Sequence, residues 1–223
     1  MKTEVVFILD RSGSMKELEK DTIGGFNAML DKQRKEPDEV LVSTVLFDHE
    51  IEVIHDRLPL SEVSKLTEED YFVRGCTALL DAVGDSIHKI VNIHKYARKE
   101  DVPDNTLFVI ITDGMENASH RYTYDKVQQM IERQKASYGW EFIFLGANID
   151  AVAEAQRIGI DKNKAASYNN DETGIAINYN AIGEAIRIIK TFGFTSDDWK
   201  KEIDEDYERR EEGDKEEILF DED

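Results

Sequence analysis

Apolar positions follow two rhythms along this chain. Short runs rich in β-branched and aromatic residues read as strands: VVFIL (5–9), VLVSTVLF (40–47), IEVI (51–54), LFVIIT (107–112) and FIFLG (142–146). The first, fourth and fifth are almost continuously apolar, as parallel strands covered on both faces are. Longer stretches with helical spacing lie between. TIGGFNAMLDKQRK (22–35) aligns Ile23, Phe26, Met29 and Leu30, and ALLDAVGDSIHKIVNIHKYAR (78–98) aligns Leu80, Val83, Ile87, Ile90 and Val91. Similar spacing returns at 124–137 and 175–192. Strands alternating with helices predict an α/β fold, a doubly wound and mostly parallel central sheet with helices on both faces.

One pair breaks the alternation. VLVSTVLF and IEVIHDRL are joined by Asp48-His49-Glu50, too short for a crossover helix. They are expected to form a hairpin, giving the sheet one antiparallel edge strand. Residues 59–75 carry no regular pattern and lead into Gly75-Cys76-Thr77.

In an open α/β sheet, sites gather at the carboxyl ends of the strands. Three polar groups fall there: Asp10, Ser12 and Ser14 after the first run, Asp113 after LFVIIT, and Thr77 in the loop opening the helix ALLDAVGDSI. Two carboxylates and three hydroxyls form an all-oxygen set suited to a hard cation, Mg²⁺ with Mn²⁺ or Ca²⁺ as alternatives. Each residue also has a plainer role. Ser12 and Ser14 suit a helix start, Asp113 before Gly114 suits a turn, and Thr77 suits an N-cap.

Together, Asp10-Arg11-Ser12-Gly13-Ser14, Thr77 and Asp113, within FILDRSGSM, CTALLDAVG and IITDG, resemble the von Willebrand factor A domain family and its metal-ion-dependent adhesion site. The likeness covers about residues 3–192, and GGFNAML, TDGMENAS and FLGANIDA look most like small stand-alone bacterial or phage members. The resemblance implies that Ser12, Ser14 and Thr77 ligate the cation through their hydroxyls. Asp10 and Asp113 would act directly or through water. An acidic residue of a partner protein would complete the coordination, within an intracellular bacterial or phage assembly. One departure is Cys76, where many relatives carry Gly; a small buried residue is expected there.

Other features change the picture less. Gly24-Gly25 inside a helix costs roughly 1 kcal/mol per residue against Ala, which suggests close packing against the sheet near Asn27. Asp81 reads equally as an outer support of the cation or as an acid in a helix's first turn. Glu116, Asn117 and Ser119 read either as the rim of the site or as solvated loop. The histidines have no zinc-site spacing. Neither a phosphate-binding GxxxxGK nor a GxSxG elbow occurs. The acid pairs of haloacid-type and receiver enzymes are missing, and no His neighbours the three motifs. A binding module is therefore expected rather than an enzyme, the alternative being a metal-dependent hydrolase or phosphotransferase using the same oxygens.

Charge and composition set the partners. The 223 residues carry a net charge of −20, and residues 195–223 hold 15 acidic against 5 basic side chains. Such a surface repels phosphate backbones, so nucleic acid is not an expected partner. The chain divides on this reading into a domain at 1–194 and an acidic tail at 195–223, partly helical or disordered. In the tail, Trp199, Ile203 and Tyr207 repeat every fourth residue, as on a docked helix, and the last ten residues read as disordered. The single Cys76 excludes an internal disulfide framework and fits a reducing compartment. The run at 5–9 meets Asp10 too early for a signal segment. No apolar run approaches the roughly 20 residues of a membrane span. A cytoplasmic protein without a membrane partner is expected.

Overall fold

The computed structural model describes residues 1–36 and 38–220, with side chains as far as Glu211. In chain order the elements are β1 (Lys2–Asp10), α1 (Glu19–Gln33), β2 (Glu39–Phe47), β3 (Ile51–Pro59), α2 (Leu79–Tyr96), β4 (Asn105–Thr112), α3 (Tyr124–Tyr138), β5 (Glu141–Gly146), α4 (Ala151–Arg157), β6 (Ala165–Ser167), α5 (Glu172–Phe192) and α6 (Lys201–Phe220). The strands form one six-stranded sheet in the order β3-β2-β1-β4-β5-β6. All neighbours are parallel except β2 and β3, the hairpin expected at one edge.

Alternation along β1 explains the two layers. Val5, Phe7 and Leu9 face a core built with α1, α5, Trp199 and Ile203. Val6 and Ile8 face a second core with α2, α3 and α4. Buried on both sides, β1 has no place for polar side chains until it leaves the sheet at Asp10. The chain winds from β1 outward to β2 and β3, then returns across the sheet to β4 on the other side of β1. The winding reverses between β1 and β4, which opens a crevice at their carboxyl ends.

Two elements carried no clear pattern. β6 is the short AAS segment, and α4 is only 7 residues long. A correction concerns Gly25. A Cβ there would collide with the Tyr179 ring on α5, so the close approach joins two helices rather than helix and sheet. Asn27 instead fastens the irregular 59–75 segment, bonding both the N–H and the carbonyl of Leu66 at 2.9 Å.

Trp199 and Ile203 are buried, and Trp199 Nε1 donates to the Asn163 carbonyl at 2.9 Å. Tyr207 on the same helix is half-buried. Of the last ten residues, read as disordered, those up to Phe220 continue the helix α6 instead, and residues 221–223 lie outside the described residues. Among the described residues no helix is long and apolar enough to cross a membrane.

Candidate metal centre

The crevice at the β1–β4 switch receives all five predicted residues. Asp10 ends β1 and is held from both sides. One carboxylate oxygen accepts the Ser12 N–H at 2.7 Å, and the other accepts the Thr112 hydroxyl of β4 at 2.6 Å. The Tyr71 hydroxyl donates to the Asp10 carbonyl. The Asp10 bond to Ser12 shapes the turn, and the turn brings every second side chain to one side.

Three hydroxyls then meet. Ser12 and Ser14 Oγ lie 3.2 Å apart, and Thr77 Oγ1 donates to Ser12 Oγ at 3.0 Å. Ser14 Oγ donates to Asp113, the residue after β4. Neither Ser12 nor Thr77 caps a helix with its side chain: Ser12 makes no cap bond, and α2 is preceded by Ala78. The capping alternatives fail, and the hydroxyls are turned toward one another instead. A Cβ on Gly114 would sit 3.2 Å from Thr77 Oγ1 and 3.3 Å from Ser14 Oγ, so glycine there keeps the space open.

Burial pushes the Asp10 carboxyl up to about 6, against the bonds from Thr112 and Ser12 and with help from the nearby Asp113 charge. Burial also raises Asp113, opposed by its bonds from Ser14 and Asn170. Among the described residues no Lys, Arg or His pairs with either carboxylate. Two buried acids without a counter-charge, beside three hydroxyls, make a donor set that fits a hard divalent cation. No group of three His, Cys, Asp or Glu able to hold a metal ion occurs among the described residues; the set here is a mixed one of carboxylates and hydroxyls.

Several supporting residues carried no reliable signal in the sequence. Asn170, in the loop from β6 to α5, donates to the second Asp113 oxygen at 3.2 Å. Its neighbours face the other way. Asn169 donates to Asp206 of α6 at 3.0 Å, and Arg210 of α6 pairs with Asp171. Glu116, Asn117 and Ser119 neither ligate nor lie idle. Asn117 accepts the Thr77 N–H at 2.9 Å, and Glu116 accepts the Leu80 N–H at 2.9 Å. Asp81 accepts the N–H groups of His120, Arg121 and Tyr122 at 2.9–3.0 Å. It ties down this same loop rather than the site.

Arg11 points away from the cluster and is wholly buried. It pairs with Asp48 at 3.0 Å and Glu52 at 2.8 Å and lies 5.3 Å over the Phe72 ring. The turn is thereby anchored to the β2–β3 hairpin, where Arg74 also reaches Asp48 at 2.7 Å. Gly75 has φ +68°, and a side chain there would overlap His49. Only glycine serves at this position. Cys76 is exposed, contrary to the small buried residue expected. With Gly75 turned inward onto His49, its neighbour is left facing solvent.

No family model matches the sequence, and no curated protein matches it. Solved structures do. The vWF domain of the type V pili tip protein Mfa5 from Porphyromonas gingivalis superposes with a TM-score of 0.61 at 13% identity, covering 88% of this chain and 98% of that one. A von Willebrand factor type A protein from Catenulispora acidiphila gives 0.56 at 14% identity over 82% of this chain, which spans only 42% of that protein. The mussel byssus protein PTMP1, with a zinc-occupied MIDAS motif, gives 0.56 at 12% identity, covering 82% of this chain and 45% of that one. The strand order, the single antiparallel edge and these superpositions give the chain the von Willebrand factor A domain fold.

Proposed function

We propose that this chain is a metal-dependent protein-binding module. Asp10, Ser12, Ser14, Thr77 and Asp113 hold Mg²⁺, with Mn²⁺ or Ca²⁺ as alternatives. The cation's remaining position takes an Asp or Glu carboxylate from a partner protein. The observation that carries the proposal is the convergence of five oxygen-bearing side chains from three distant segments, with both carboxylates buried and unpaired by any base. The zinc-occupied motif of the mussel protein supports a divalent ion on this fold.

The residues divide the work. Asp10 and Asp113 supply charge, and the three hydroxyls supply neutral donors that leave a cation electrophilic toward a further anionic oxygen. Thr112 and Asn170 fix the carboxylates in place, and Tyr71 holds the Asp10 backbone carbonyl. Ser14 is exposed and opens the cluster to solvent. The role is binding, not catalysis, and we place it in a cytoplasmic bacterial or phage assembly. Residues 1–194 form the binding module and 195–223 an acidic extension of it.

Calorimetry tests the site. Mg²⁺ is expected to bind the wild-type chain, and Thr77→Ala to weaken it by about tenfold or more. Absence of heat with Mg²⁺ and Mn²⁺, or equal binding by the variant, overturns the metal site. A pull-down with and without EDTA tests the partner: capture that survives chelation and Thr77→Ala rules out a metal bridge.

A further inference from the structure

A second polar feature lies behind the metal cluster, inside the molecule. Asp10, Tyr71, Thr22, Tyr168, Asn178 and Tyr179 wall a small chamber, closed by the apolar Leu9, Met15, Ile111 and Ile175. Its volume of about 10 Å³ is close to that of one water-sized sphere. Tyr168, Asn178 and Tyr179 are each buried to within 4% of full. The Tyr168 hydroxyl, the Asn178 Oδ1 and the Tyr179 hydroxyl have no hydrogen-bond partner among the described residues. The Thr22 hydroxyl, also on the chamber wall, likewise has no hydrogen-bond partner among the described residues.

Buried oxygens left unbonded are costly, and proteins rarely leave several together. Nor is the arrangement loose. Gly25 lets the Tyr179 ring lie directly on α1, and Phe26 meets that ring edge-on at 6.2 Å. With glycine beneath it and phenylalanine beside it, Tyr179 has a fixed direction. Burial holds the Tyr168 and Tyr179 hydroxyls in their neutral, proton-bearing form. Two O–H groups that can donate or accept, together with an amide oxygen that accepts, match a water molecule, which needs two to four polar partners.

We propose that this chamber is a specific binding site for one structural water, held by Tyr168, Asn178 and Tyr179. The water joins α5 to the loop after β6, at the back of the β1–β4 crevice. It accounts for an α1–α5 contact that, through Gly25, holds the Tyr179 hydroxyl against this polar chamber. Asp10 borders both the chamber and the metal cluster, but the three oxygens proposed to hold the water belong to residues outside the metal donor set.

The sign of one substitution is decisive. If water bonds the Tyr179 hydroxyl, Tyr179→Phe removes a satisfied bond and lowers Tm by about 2–4 °C. If the chamber is dry, the same change removes an unbonded buried hydroxyl and leaves Tm unchanged or raised. A crystal structure at high resolution supplies the direct readout. A peak within hydrogen-bond distance of Tyr168, Asn178 and Tyr179 is expected in the wild-type chain. An absent peak, or a Tm for Tyr179→Phe or Tyr168→Phe at or above wild type, overturns the proposal.

Discussion

Asp81 shows how a single carboxylate can serve a site it never touches. Burial raises its pKa, but three backbone N–H bonds and the Arg121 guanidinium outweigh this and hold it below the usual carboxylate range. A depressed folded-state pKa means stability that is fully present above the unfolded value of roughly 3.9 and is lost as pH falls through the folded value. Wild type is therefore expected to lose its advantage over Asp81→Asn as pH drops below about 4. Thermal melts between neutral and acid pH check this; a constant difference between the two proteins would refute it. At this scale the sequence was partly legible. Asp10, Ser12 and Ser14 stand out because a turn places alternate side chains together, which is a local fact. Asn170 carries no local mark, since its bond to Asp113 exists only once the loop from β6 closes over the crevice. Glu116 and Asn117 stayed open between rim and solvated loop because sequence shows proximity to Asp113 but not the backbone groups they turn to meet.

Among the elements, the apolar runs of β1, β4 and β5 were readable because burial on both faces leaves a continuous pattern, whereas the edge strand β3 is largely exposed and was read from its short link to β2. β6 was not. Ala165, Ala166 and Ser167 are too small to carry a strand signature, and they pair only because β5 offers a free edge. The segment after α5 changes its meaning with the structure. Composition alone sets it apart as acidic, yet Trp199 and Ile203 belong to the core shared by α1 and α5. Trp199→Ala is expected to cost about 3–5 kcal/mol, measured by urea denaturation; a loss below about 1 kcal/mol would show a merely peripheral contact. Removing residues from 195 onward therefore tests packing and acidity at once. Cutting after Glu211 keeps Trp199, Ile203, Asp206 and Arg210 in place while removing seven of the fifteen acidic side chains of residues 195–223.

For the whole molecule, a net charge of −20 surrounds the candidate metal centre with negative potential. Such a field concentrates cations and weakens as salt screens it. Apparent Mg²⁺ affinity is expected to fall severalfold between roughly 50 and 500 mM KCl, over which the Debye length shrinks about threefold. Calorimetry across that range decides it, and a flat response would mean that the local ligands alone set affinity. The same charge bears on the proposed partner, whose acidic contact would have to approach a chain of net negative charge.

The placement of the cluster also fixes an order of events. Asp10 and Asp113 become neighbours only when β1 has paired with β4, two strands separated in sequence by the whole of α1, β2, β3 and α2. Thr77 joins them only when the start of α2 is clamped by Asn117. A fragment lacking β1 or the end of β4 lacks part of the donor set, and an ion held there would report that the central strand pair is closed. On the proposed reading, a bound cation would act as a latch on a finished sheet, slowing the opening of the molecule without helping the chain to find its way in.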